Sequence, residues 1–78
     1  MTKLYFDYQD ANGILKDDVG EELPDTAVAR KEALVTAGQT LQDLANRDLE
    51  GRVVIEVRDL DGPVLRVSAT VETAPLKG

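Results

Sequence analysis

Three features of the sequence predict an α+β two-layer sandwich, one long helix packed on a three- or four-stranded antiparallel sheet. Period-two alternation of apolar and polar residues marks strands at both ends of the chain. Two turns of the form Asp-x-Asn/Asp-Gly, Asp10 to Gly13 and Asp59 to Gly62, fold those strands back on themselves, which makes the pairing antiparallel. Between them lies one segment of helical spacing, long enough to cover one sheet face. The expected order is strand-strand-helix-strand-strand, a single domain over residues 1–73 with a frayed tail at 74–78.

The first strand runs from Lys3 to Tyr8, with Leu4, Phe6 and Tyr8 on one face and Lys3, Tyr5 and Asp7 on the other. After the Asn12-Gly13 turn, Ile14 to Lys16 returns as a short strand. Asp17, Asp18, Glu21 and Glu22 then form a dense acidic stretch around Gly20, expected to be irregular or an edge. Asp25 or Thr26 is a good N-cap for a helix from Ala27 to about Arg47. On its wheel Ala33, Leu34, Ala37, Leu41, Leu44 and Ala45 share the apolar side, and Val28 and Val35 fall on the polar side. Gly38 costs about 1 kcal/mol there relative to Ala, which a close approach of the sheet would justify. Asp43 and Arg47 are spaced for a favourable i,i+4 pair. Arg30 falls within the apolar side, so its head is expected to find an acid such as Asp7 or Glu22. Past the loop Asp48 to Gly51, Arg52 to Arg58 is the strongest strand, with Val53, Ile55 and Val57 inward. The last strand, Pro63 to Glu72, turns Leu65, Val67, Ala69 and Val71 inward and Arg66, Ser68 and Thr70 outward.

Composition excludes several functions. The chain of 78 residues has no Cys and no His, which removes disulfides, thiolate chemistry and the commonest general base. Its net charge of −6 and its scattered cations disfavour nucleic acid and anionic membrane surfaces. No apolar run spans a bilayer and no export leader is read at the N-terminus, so the expected setting is cytoplasmic. Neither glycine-rich phosphate motif occurs, Ser68 has no evident base, and no enzyme activity and no cofactor are expected.

Two places in the chain gather carboxylates of the kind that bind metal. Placing the turn glycines at the sixth position of a calcium loop puts Tyr8 and Val57 at its first position and Val19 and Ser68 at its twelfth, where carboxylates are needed. The two turns are therefore read as hairpin turns, although FDYQDANGIL and IEVRDLDGPVL echo one another. Asp17, Asp18, Glu21 and Glu22 are a solvated acidic face first, and otherwise a contact for a divalent cation, a small molecule or a basic partner. A sheet covered by one helix leaves its second face open. Tyr5, Arg52, Val54, Glu56, Arg66 and Thr70 lie there and make the candidate interaction surface.

Taken together, YFD at Tyr5 to Asp7, DVGEELPD at Asp18 to Asp25, ARKEA at Ala29 to Ala33 and IEVRDLDG at Ile55 to Gly62 resemble a family of small alphaproteobacterial domains of unknown function. That resemblance covers nearly the whole chain and implies no activity. Leu23-Pro24-Asp25 ahead of an alanine-rich helix is more loosely similar to the HicB-type antitoxin fold, whose DNA-binding tail has no counterpart here. The expected function is a non-enzymatic protein-interaction or regulatory module, binding a protein partner or itself as a homodimer.

Overall fold

A computed structural model describes residues 1–77. The order is β1 (Thr2–Asp10), β2 (Gly13–Leu15), β3 (Glu21–Leu23), α1 (Thr26–Asn46), β4 (Gly51–Asp59) and β5 (Gly62–Val71). All pairings are antiparallel, in the sheet order β2-β1-β4-β5, with β3 also on β1. The α+β architecture and the helix-on-sheet arrangement are those expected. Within the acidic stretch, read as irregular or an edge, Asp17 and Asp18 are irregular and Glu21 and Glu22 form a short edge strand, giving five strands in place of three or four. Backbone pairing with Thr2, Lys3 and Leu4 holds it there, and that pairing is indifferent to side-chain charge.

Both hairpin turns work as read. Asp10 Oδ1 accepts from the Asn12 N–H and Asp59 Oδ1 from the Asp61 N–H, each at 2.8 Å. Gly13 and Gly62 take φ of 128° and 133°, a region closed to most side chains. The echo between the two segments is thus one turn chemistry used twice.

The helix starts where Asp25 accepts from the Val28 N–H at 3.1 Å. It ends with the Leu49 N–H donating to the Leu44 carbonyl and the Asp48 N–H to that of Ala45, while Asp48 holds φ of 57°. This is a Schellman ending, with aspartate in the left-handed position usually given to glycine. The Asp43–Arg47 pair forms at 3.3 Å.

The core is made of Leu4, Leu23, Val53, Ile55 and Val57 from the strands and Ala29, Ala33 and Ala37 from the helix. Methyl-sized residues at i, i+4 and i+8 let the helix axis come close to β4 and β5. Leu41 packs at the margin of this core, but Leu34 is 44% exposed and Ala45 is exposed. Both were expected inward. They fail because the alanine stripe, centred between Ala33 and Ala37, is what meets the sheet, and Leu34 and Ala45 lie about a quarter turn round from it. Val28 and Val35 are exposed, as placed. Gly38 has no neighbour within 4 Å of where a Cβ would sit, so no close approach of the sheet accounts for it. Arg30 is exposed and joins no salt bridge among the described residues, because its stem need not cross a buried face. The other flank carries Glu32 beside Glu21 of β3, and burial and then the Glu21 carboxylate raise its pKa.

The inward residues of β5 (Leu65, Val67, Ala69, Val71) are half-buried, as are Phe6 and Tyr8 on β1. Thr73 is tied back by its N–H and hydroxyl to the Glu50 carboxylate, both at 2.7 Å. Residues 74–77 are exposed and join no strand or helix, while the last residue of the expected tail, Gly78, lies outside the described residues.

Candidate functional site

The sheet face away from the helix carries every residue of the candidate surface. Pairing sets Tyr5 beside Arg58, Asp7 beside Glu56, Gln9 beside Val54 and Arg52 beside Thr70, and Glu56 also lies beside Arg66. Period two then turns all of these side chains to the same side. The face has two parts, a locked end and an open depression.

Asp7 anchors the locked end. It is 7% exposed, the one buried charged residue among those described. Arg58 Nε donates to its Oδ2 at 2.8 Å, the Asp17 N–H donates to Oδ1 at 3.0 Å, and Lys16 Nζ lies 3.8 Å away. Burial would raise its pKa, but the Arg58 hydrogen bond, the Asp17 amide and the two cations together hold it below the usual value. The same contacts raise the pKa of Arg58, led by its bond to Asp7. Arg58 also donates to the Asp17 carbonyl and lies 4.6 Å above the Tyr5 ring centre.

Asp17 is the second member. β2 pairs with Tyr8, Gln9 and Asp10, and β3 with Thr2, Lys3 and Leu4, so the middle of β1 pairs with neither. Asp17 fills that gap: its Oδ2 accepts the Phe6 N–H, and its Oδ1 accepts those of Val19 and Gly20, all at 3.0 Å. The Gly20 and Phe6 amides are the main reason its pKa is lowered. Gly20, at φ of 78°, brings the loop flat onto Tyr5, where a Cβ would come within 2.8 Å of the ring.

The acidic stretch is thus not one cluster. Asp17 is spent on backbone amides, Asp18 is exposed, and Glu21 and Glu22, consecutive in a strand, point to opposite faces. No three carboxylates among the described residues stand close enough together to hold a metal ion. Replacing Asp17 with Ala is expected to lower stability by about 1–2 kcal/mol, since three amides lose their acceptor and only some regain one from water. Urea unfolding measures this, and rapid hydrogen exchange at Phe6 and Gly20 in the variant checks the cause.

The depression lies beside the lock, a concavity of about 510 Å3. Val54, Ile14 and Ala11 give it apolar floor, and Lys16, Arg52 and Arg66 stand around it with Asp7, Asp10 and Glu56. Arg66 donates to Glu56 at 2.8 Å. Arg52 is exposed and, among the described residues, joins no salt bridge, so its donors are free for a partner. Four of the six expected surface residues, Arg52, Val54, Glu56 and Arg66, line this depression. Tyr5 belongs to the lock and Thr70 lies beside Arg52.

Sequence reasoning missed Lys16, Ile14, Asp7 and Arg58 as parts of the site. A signal existed for the last two. An aspartate in mid-strand and an arginine at a strand end, both on the open side, need a partner when neither reaches bulk water. No helix among the described residues is long and apolar enough to cross a membrane. No curated protein and no solved structure matches the chain. The strand, acidic, helix and hairpin segments that carried the resemblance fall within residues 3–70, the span matched by the model of one family, and the chain belongs to that family, described as Domain of unknown function (DUF6894).

Proposed function

We propose that the chain is a non-enzymatic protein-interaction or regulatory module that docks a protein partner on the open sheet face. The observation that carries this reading is the depression itself, an apolar floor ringed by equal numbers of cations and carboxylates with Arg52 unengaged. Such a mosaic matches a polypeptide surface, which offers side chains of both signs and apolar contacts. A nucleic acid would need a surplus of cations, and the chain carries −6 overall. Shape agrees, because the concavity is open and suits a protruding side chain or loop better than an enclosed small molecule. A cytoplasmic setting is proposed with it, which a cysteine-free chain suits.

Arg52→Glu and Val54→Asp test the docking face. Each is expected to weaken a co-purifying partner at least tenfold, about 1.4 kcal/mol, with an unchanged circular dichroism spectrum. Equal partner affinity for wild type and both variants would place docking elsewhere.

A further inference from the structure

The two borders of the sheet are treated very differently. At the β2 and β3 border the strands are three residues each, the loop between them breaks the row, and Asp18, Glu21 and Glu22 add exposed charge along it. Short strands, interruptions and charge are how folded proteins keep a border from pairing. β5 is the opposite case. It is ten residues long, its outer border has no strand beside it among the described residues, and its one charged side chain, Arg66, is already bonded to Glu56.

The helix flank above this border is equally unfinished. The helix packs across β4 and β5, with β5 at the border of the sheet, and Glu32 lies on the β3 side, so Leu34, on the other side of the alanine stripe, is on the β5 side. It is 44% exposed. Gly38, one turn further on, has open space around it. A glycine in mid-helix is destabilising against almost any other residue, and nothing inside this fold requires one. A second helix drawn up against Leu34 would.

We propose that the chain forms a two-fold dimer through antiparallel pairing of β5 with β5 of a second copy, with Leu34 and Gly38 of the two helices meeting above the joined sheet. The proposal rests on the reading of the chain as an interaction module and names one partner, itself. The sequence of β5 suits this occupant. With Ser68 on the axis, Leu65 falls opposite Val71 of the other copy, Val67 opposite Ala69, and Arg66 opposite Thr70. Apolar meets apolar on the helix side, polar meets polar on the open side, and no like charges oppose. Pro63, which cannot donate to a ladder, falls outside the paired stretch. The repulsion expected between chains of −6 is kept away, because the acidic residues of the β2 and β3 border lie at the far side of each sheet. The two open faces then become one continuous surface.

Sedimentation equilibrium of the whole chain across micromolar to millimolar concentration tests this. The wild type is expected to reach twice the chain mass of 8.5 kDa. Leu34→Lys and Gly38→Gln are each expected to raise the dimer dissociation constant at least tenfold. Gly38→Gln should at the same time raise the melting temperature of dilute, monomeric protein, an opposite effect that misfolding cannot imitate. Hydrogen exchange of the wild type adds a readout free of mutation: dilution should speed exchange at alternate β5 amides and leave β4 unchanged. A chain that stays at 8.5 kDa to millimolar, a dimer indifferent to both variants, or β5 exchange independent of concentration overturns the proposal. Arg52→Glu should leave the dimer intact, so loss of partner docking and loss of dimerisation are separable failures.

Discussion

Replacing Arg58 with Met is expected to lower the melting temperature at pH 7 by roughly 10–20 °C. The cost falls on Asp7, at 7% exposure, whose carboxylate loses its one short-range cation. An orphaned buried carboxylate costs about 2–4 kcal/mol, a large share of the stability of so small a domain. Lys16, 3.8 Å away and with its side chain 73% exposed, replaces little of this. Losing the bond from Arg58 to the Asp17 carbonyl also loosens the loop that completes the edge of β1. The effect carries a pH signature. In the wild type the lowered pKa values of Asp7 and Asp17 contribute stability above the unfolded value near 3.8, and that stability is lost as pH falls through the lower folded values. Without Arg58, only the Asp17 amide and Lys16 oppose burial at Asp7, so its folded pKa rises from the wild-type value. Protonation then relieves the variant, so the gap to wild type is widest at neutral pH and narrows on acidification. Adding Asp7→Asn to the variant should restore a good part of the loss. A melting temperature within 5 °C of wild type would show that the lock holds nothing together.

The lock also marks where the sequence stops being readable. The helix was legible because its signals are local: Asp25 lies three residues before the amide it caps, and the alanine spacing lies within one segment. The turns were legible for the same reason, since Asp10 and Asp59 each bond an amide two residues on. The Val19 and Gly20 amides bonded by Asp17 lie within three residues of it, but the partners that draw it onto the sheet, and so away from a surface role, are remote. Phe6 is 11 residues away and Arg58 is 41. Nothing in the chain states that one stretch of β1 has no strand beside it and needs a carboxylate in place of one. The open face sits between these cases. Tyr5, Arg52, Val54, Glu56, Arg66 and Thr70 were placed on it by period two alone, and pairing keeps them there. Lys16 and Ile14 complete the depression from the hairpin next to β1, a register that alternation within one strand does not reveal.

Ala33→Leu is expected to destabilise by about 3 kcal/mol, and Leu34→Ala in monomeric protein by well under 1 kcal/mol. A hydrophobicity scale orders these the other way. A wheel reports which residues share a side of the helix but not which of them meets a neighbour, and Leu34 and Ala33 both pass as apolar-side positions. The contact decides. Ala33 is 0% exposed against the fully buried Val53, Ile55 and Val57 layer, whereas Leu34 is 44% exposed beyond the margin. Three more carbons at Ala33 have no space to enter, so the helix must lift and uncover Ala29 and Ala37 on either side. Removing the end of Leu34 uncovers nothing in the monomer. Denaturant midpoints for the two variants, measured at a concentration where the chain is monomeric, give the comparison. A larger loss for Leu34→Ala than for Ala33→Leu would mean that the helix rests on its leucines and not on a close approach of its alanines to the sheet.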